Sequence, residues 1–266
     1  MKIDYCLHTH TSRCGHATGT DEMYVQEAIK IGVTDLGFSD HVFLPGLRNP
    51  VARGDYSLLP DYKNSVLSLK EKYKKDINIY LGFECEYFDE YLDYYKSLLN
   101  NEGFDYLIVG QHFFLNDGEL FYFRNDLSPE NLQRYVHEIE KAMKTGLFLY
   151  VAHPDLYITL FSSFDENAEK IARELCRLSK KYDIPFELNL NGMTWSLPAT
   201  LTYPNEDFWR VVGEEGCLVC VGYDSHQPEF FKETKYINRA YDWIEKYKLN
   251  TISKEELIKR INKKTS

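Results

Sequence analysis

Residues 3–10 read Ile3-Asp4-Tyr5-Cys6-Leu7-His8-Thr9-His10, a short apolar run that ends in two histidines spaced two apart. Its length and aromatic content suit a buried parallel strand. Alternate side chains of an extended chain project to the same side, so His8 and His10 share one site at the strand's carboxyl end. The pattern recurs. Apolar runs at residues 34–38, 77–83, 104–110, 147–152 and 217–222 lead into Ser39-Asp40-His41, Glu84, Gln111-His112, His153-Pro154-Asp155 and Asp224-Ser225-His226. A further run at 185–191 carries Glu187, Asn189 and Asn191 on alternate positions, hence on one face.

Segments of helical period lie between the runs, at about 21–32, 60–75, 88–101, 129–146, 165–182, 205–216 and 234–248, with a tail helix near 254–262. Thr20 before Asp21-Glu22 and Ser128 before Pro129 are start signals; Gly32, Gly146 and Gly216 stand where helices should stop. Seven strand–helix units in strict alternation predict an α/β fold of parallel strands with helices outside. A closed barrel suits that count, and an open doubly wound sheet is the alternative. With no repeat or linker to divide the chain, residues 1–266 are expected to form a single domain.

Composition narrows the function. At 44% hydrophobic and 27% charged residues the chain is neither disordered nor fibrous. No apolar run approaches the roughly 20 residues of a membrane span, and the start lacks a signal-peptide core, so a cytoplasmic protein without a membrane partner is expected. The 31 Lys and Arg against 41 Asp and Glu leave a net charge of −10, which repels a nucleic-acid strand at long range. Nor does any feature call for an obligate protein partner. Cys6, Cys14, Cys85, Cys176, Cys217 and Cys220 are expected to be reduced; Cys217-x-x-Cys220 looks like half a zinc knuckle but stands alone in an apolar run and reads as buried thiols.

Of the eight histidines, all but His137 fall at or just beyond a strand's carboxyl end, the face where parallel α/β folds bind ligands. With His16 in the first loop, that face gathers seven His, Glu84 and Asp224. Imidazoles with few carboxylates suit Zn, Mn, Fe or Co rather than Mg or Ca. Nine donors serve two or three ions at about four to six ligands each. Three divalent ions against two carboxylates leave about +4, a local well for a phosphate dianion.

These blocks resemble the PHP (polymerase and histidinol phosphatase) superfamily of metal-dependent phosphoesterases: His8-Thr9-His10 with Ser12-Arg13-Cys14-Gly15-His16, Ser39-Asp40-His41, Gly82-Phe83-Glu84, Gly110-Gln111-His112-Phe113, Ala152-His153-Pro154 and Asp224-Ser225-His226. The resemblance covers nearly the whole chain, and its length and His16 are similar to the histidinol-phosphatase branch. It implies a distorted (β/α)7 barrel, TIM-barrel-like, with the metal site at the C-terminal ends of the strands and three divalent metal ions (Zn, Mn or Fe). The implied ligands are His8, His10, His16, His41, Glu84, His112, His153, Asp224 and His226, with Glu84 as bridge and Glu86, two residues on, as its alternative. The implied reaction hydrolyses L-histidinol phosphate, a small phosphomonoester of histidine biosynthesis, to L-histidinol and phosphate by attack of a metal-bridging hydroxide. Asp224 or His226 would relay the proton to the leaving alcohol.

Arginine suits phosphate through its bidentate fork. Arg53, then Arg48, in the loop Val42–Ser57, are the expected substrate-binding residues, ahead of Arg13 and Arg124. Glu187, Asn189 and Asn191 either orient ligands or bind the substrate's amine, unless they merely close the barrel. Phe113, Phe114 or Trp195 would stack on an imidazole ring. Rival readings are another PHP-type phosphoesterase (nucleotide phosphatase or 3′–5′ exonuclease), an amidohydrolase-like enzyme, for which no strand-ending Lys is present, and a metal-buffering protein.

Overall fold

The computed structural model describes residues 3–49, 52–126 and 128–264. Its strands are β1 (Tyr5–Cys6), β2 (Asp35–Phe38), β3 (Asn78–Cys85), β4 (Tyr106–Val109), β5 (Phe113–Asn116), β6 (Glu119–Tyr122), β7 (Phe148–Val151), β8 (Phe186–Asn189), β9 (Leu218–Gly222) and β10 (Asn250–Thr251). Its α-helices are α1 (Asp21–Lys30), α2 (Leu59–Lys72), α3 (Leu92–Asn100), α4 (Pro129–Thr145), α5 (Glu166–Tyr182), α6 (Glu206–Glu215), α7 (Thr234–Lys246) and α8 (Lys254–Lys264). All seven expected strands and eight expected helices are present. Thr20 and Ser128 accept the Met23 and Asn131 amides at the starts of α1 and α4. Gly146 and Gly216 end α4 and α6 in the left-handed region, where only glycine is free of a Cβ clash. No helix among the described residues is long and apolar enough to cross a membrane.

The strands pair in the order β1-β2-β3-β4-β7-β8-β9-β10, every pair parallel. The sheet curls until its ends meet. At the carboxyl end a Thr9–Ser225 bridge joins β1 to the turn after β9, through His10 N to Ser225 O (2.9 Å) and Ser225 N to His8 O (3.2 Å). At the opposite end β9 pairs instead with β10, through Leu218 and Val219, so the two ends of the sheet are bridged at the carboxyl end. This is the distortion of the expected (β/α)7 barrel.

Two elements go beyond the sequence reading. The antiparallel hairpin β5–β6, read as loop, turns at Asp117-Gly118, whose positive φ values of 49° and 85° fit the tight turn that Asp-Gly favours. The two-residue β10 is too short to leave a pattern.

Tyr106 and Tyr150 fill the barrel beneath the strand ends. Tyr106 Oη donates to Leu7 O (2.9 Å) and Phe38 O (3.2 Å), and Tyr150 Oη donates to Leu7 O (3.0 Å), satisfying buried carbonyls that directly precede His8 and Ser39. The Tyr106 ring lies against Gly37 and Gly82; a Cβ on Gly82 would sit 2.5 Å from ring carbons. Gly82→Ala is expected to destabilise the fold by about 1–3 kcal/mol through overpacking, read as a lower urea midpoint with an unchanged slope. An unshifted midpoint would show that Tyr106 gives way freely.

Candidate functional site

Each strand end delivers its expected donor to one cluster. β1 presents His8 and His10, the turn after β2 His41, β3 Glu84, the turn after β4 His112, that after β7 His153 and that after β9 Asp224 and His226. The single turn Ser12–Cys14 returns His16 across the mouth, its Nε2 3.0 Å from His226 Nε2. Asp40 fixes that loop by accepting the Thr11 amide (2.7 Å) and hydroxyl. All nine expected ligands therefore converge, in overlapping groups that include His8–His10–Glu84, His41–Glu84–His112, His8–His153–Asp224 and His16–His41–His226. His137 is exposed on α4, away from the cluster.

Glu84 is the centre. Its carboxylate, 1% exposed, lies 2.8 Å from His153 Nε2, 3.0 Å from His41 Nδ1 and 3.4–3.6 Å from Nε2 of His8, His10 and His112. Burial alone would raise its pKa; His112, His41 and His8 outweigh that and hold it well below the carboxylate range. Asp224, 3.1 Å from His10 and 3.3 Å from His226, is likewise held ionised against burial by His8 and His10. Burial, reinforced by the neighbouring imidazoles His226 and His41, drives His10 well down and His16 to about 4, which favours the neutral form of both. Anionic oxygens and neutral imidazoles are the forms that bind a cation.

The donor set fits divalent metal. His8 Nε2, both His10 nitrogens, Glu84 Oε2 and His153 Nδ1 are buried without a hydrogen-bond partner. Such orphaned atoms are costly in a protein interior, and a cation answers several of them at once. His153 and Asp224 also hold positive φ values of 31° and 51°, strain of the kind that concentrates at functional sites.

Two more carboxylates orient the imidazoles from behind. Glu187 Oε1 accepts from His8 Nδ1 (2.8 Å), which turns Nε2 inward. Glu86 Oε1 lies 3.2 Å from His112 Nδ1 and thus does the same for His112, so of Glu84 on β3 and Glu86 just beyond it, Glu84 is the one at the centre of the cluster. Burial would raise the pKa of Glu86, but Arg53 and His112 bring it down to about 2. Asn189 donates to Glu187 (2.9 Å) and Asp224 (3.1 Å), so this polar face orients donors.

Above the cluster opens a cavity of about 580 Å³ walled by Asn49, Phe113, Tyr122, Leu156, Asn191, Trp195 and Tyr203 besides the donors. Phe113 and Trp195 line the cavity, but the aromatic set against a donor imidazole is Tyr203, T-shaped to His153 with centroids 5.8 Å apart, rather than the expected Phe113, Phe114 or Trp195; Phe114 is buried away from the cavity. Tyr122 and Tyr203 are wall residues that the sequence reading does not name, and the Asp117-Gly118 turn is the available signal for the hairpin that carries Tyr122. Arg53 lies buried with its guanidinium on Glu86 (2.8 Å) and Val42 O (3.2 Å). Arg48 extends into solvent beside Asp55 (3.1 Å) and Arg13 pairs with Asp21 and Asp61, both at 2.8 Å, so none of these three lines the cavity. Arg124 rests on Tyr122 and Trp195 at its rim. Pro50 and Val51, in the same loop as Arg48 and Arg53, lie outside the described residues. All six cysteines are buried and unpaired.

Glu84 reaches the centre because Gly110 has no side chain: a Cβ there would lie 2.0 Å from Glu84 Oε1 and 2.9 Å from His153 Cε1. Gly110→Ala is expected to abolish stoichiometric zinc uptake while the metal-free chain still unfolds cooperatively. Zinc counted per chain after dialysis checks this, and uptake equal to the parent chain would refute it.

Comparison with known proteins agrees with this geometry. The chain is 28% identical over 226 residues to a protein of Deinococcus radiodurans named "Probable histidinol-phosphatase", covering 83% of this chain and 85% of that one. It is 24% identical to a Schizosaccharomyces pombe protein of the same name, covering 88% and 84%. Its fold matches that of a histidinol phosphate phosphatase from Lactococcus lactis, solved with zinc, L-histidinol and phosphate, at a TM-score of 0.71 and 18% identity over 94% of this chain and 95% of that one. The model of the PHP domain matches residues 7–191, well over half the sequence, and the chain therefore belongs to the PHP domain family.

Proposed function

We propose that this chain is a metal-dependent phosphomonoesterase that hydrolyses L-histidinol phosphate to L-histidinol and phosphate, a step of histidine biosynthesis carried out in the cytoplasm. The observation that carries the reading is the convergence of seven imidazoles, Glu84 and Asp224 beneath a cavity of metabolite size. The names of the relatives supply the substrate.

His8, His10, His16, His41, Glu84, His112, His153, Asp224 and His226 would hold up to three divalent ions, with zinc, manganese and iron all suited to these donors. When bound, the ions supply an activated water and neutralise the charge of the phosphate. The chain's own residues do the rest. Glu84 gathers five imidazoles around its carboxylate, and Glu187 and Glu86 set the tautomers of His8 and His112. Asp224 Oδ1 lies 3.3 Å from His226 Nδ1 and both side chains line the cavity, which supports Asp224 or His226 as the relay of the proton that the departing alcohol requires. Phe113, Leu156, Trp195 and Tyr203 exclude water from one side of the ester and offer apolar faces to its organic part.

Metal-replete protein is expected to release phosphate from L-histidinol phosphate faster than from an aryl phosphate or a single-stranded oligonucleotide. A chelator should abolish the activity and zinc or manganese restore it. A single turnover in ¹⁸O water should place the label in phosphate. Preference for the oligonucleotide would move the protein to another PHP activity, and label in the alcohol would overturn water attack on phosphorus.

A further inference from the structure

Arg53 is the one arginine or lysine among the described residues that is buried, a costly place for a cation. Its contacts single out three of the donors. Nη1 donates to the carbonyl of Val42, the residue after His41, at 3.2 Å. Nη2 donates to Glu86 Oε2 at 2.8 Å, and Glu86 stands two residues beyond Glu84 on β3. The other oxygen of Glu86 lies 3.2 Å from His112 Nδ1. One guanidinium thereby ties together the segments that bear His41, Glu84 and His112, which form one of the candidate metal-holding groups. Glu187, which does for His8 what Glu86 does for His112, is fixed instead by Asn189 and the His153 amide, with no lysine or arginine paired to it among the described residues.

We infer that Arg53 is a positioning residue for a single ion, the one held by His41, Glu84 and His112: it pins Glu86 so that His112 keeps Nδ1 protonated and Nε2 aimed at the ion. The inference rests on the metal-centre reading above. It also accounts for the choice of arginine. The planar fork serves a carboxylate and a carbonyl at once, whereas a lysine would hold one of them as a point charge.

The test strips the full-length chain of metal and follows zinc uptake at buffered free zinc, counting ions per chain by elemental analysis and ranking affinities by competition with a chromophoric chelator. In Arg53→Met one ion should weaken by about 10–100-fold while the others keep their affinities, so that bound zinc falls by one where the parent chain is full. Arg53→Lys should show a smaller weakening of the same ion. Combining Arg53→Met with His112→Ala should lose no more than His112→Ala alone, because both act on one site. A merely structural ion pair would lower the melting temperature of Arg53→Met and leave its zinc count at the parent value, and that result overturns the inference. So does additional ion loss in the double variant. If Arg53→Met does not fold, Arg53→Lys decides: a selective weakening of one ion supports the inference and parental affinities for every ion overturn it. A parent chain that takes up no zinc sinks the metal-centre reading and this inference with it, whereas a zinc-loaded parent with indifferent Arg53 variants sinks the inference alone.

Discussion

Glu84 lies within 3.6 Å of nitrogens from five imidazoles at the carboxyl end of the barrel, with its own carboxylate almost wholly buried. An ionised carboxylate in such a place is tolerable only if positive charge or strong donors surround it. Much of the architecture follows from that demand. The strands must end at one level so that imidazoles from four of them reach the same point as Glu84 of β3. Gly110 must be bare so that the carboxylate can pass. The barrel seam must close at the carboxyl end, where the Thr9–Ser225 bridge holds His8 and His10 against Asp224 and His226, whereas lower down β9 pairs with β10.

Electrostatics then divide the donors. Glu84 and Asp224 stay ionised despite burial, whereas His10, His16 and His226 are driven towards neutrality, chiefly by burial itself. His8 is an exception: burial opposes its charge, but Glu187, Asp224 and Glu84 prevail and its pKa rises. Such a proton is the one an entering cation displaces, so ion binding and proton release are coupled at this site. The acidic exterior and the cationic demand of the interior are separate matters, because exposed charges are screened over about 8–10 Å while buried ones are not.

The strands and the donor set were legible in the sequence because both are local signals. A strand's apolar run and the polar residue that ends it are read within ten residues, as Ile3 to His10 illustrates. Partners across the barrel were not legible. Glu187 meets His8 from 179 positions away, and nothing near either residue announces the pairing. Glu84 near the end of β3 and Glu86 just past it differ only by two residues' advance, about 6.6 Å in extended chain, so local pattern could not decide which stands at the centre. Arg53 carries a charge in a long loop after a strand and reads as a group for substrate; that the guanidinium is buried on Glu86 is a tertiary fact. The hairpin β5–β6 did leave its mark in Asp117-Gly118, but its strands lie mostly outside the core and lack a clean alternation.

β8 is the one barrel strand among the first seven that supplies none of the nine donors, and its polar face explains why it is still needed. The two strained donor positions, His153 and Asp224, lie on the turns after its neighbours β7 and β9. Left-handed backbone at such residues costs about 1–3 kcal/mol each and persists only where the surroundings enforce it. Glu187 Oε2 accepts the His153 amide at 3.2 Å, and Asn189 spans from that same oxygen to Asp224 Oδ2 at 3.1 Å. Hydrogen bonds to a charged group contribute about 1.5–3 kcal/mol each, enough to offset the strain on both sides. Gly222 leaves room for the arrangement, since a Cβ there would overlap Glu187 Oε1 at 1.8 Å. The strand without a donor is thus the brace that holds two donor-bearing turns in conformations they would not keep alone, and through Glu187 it turns His8 inward as well.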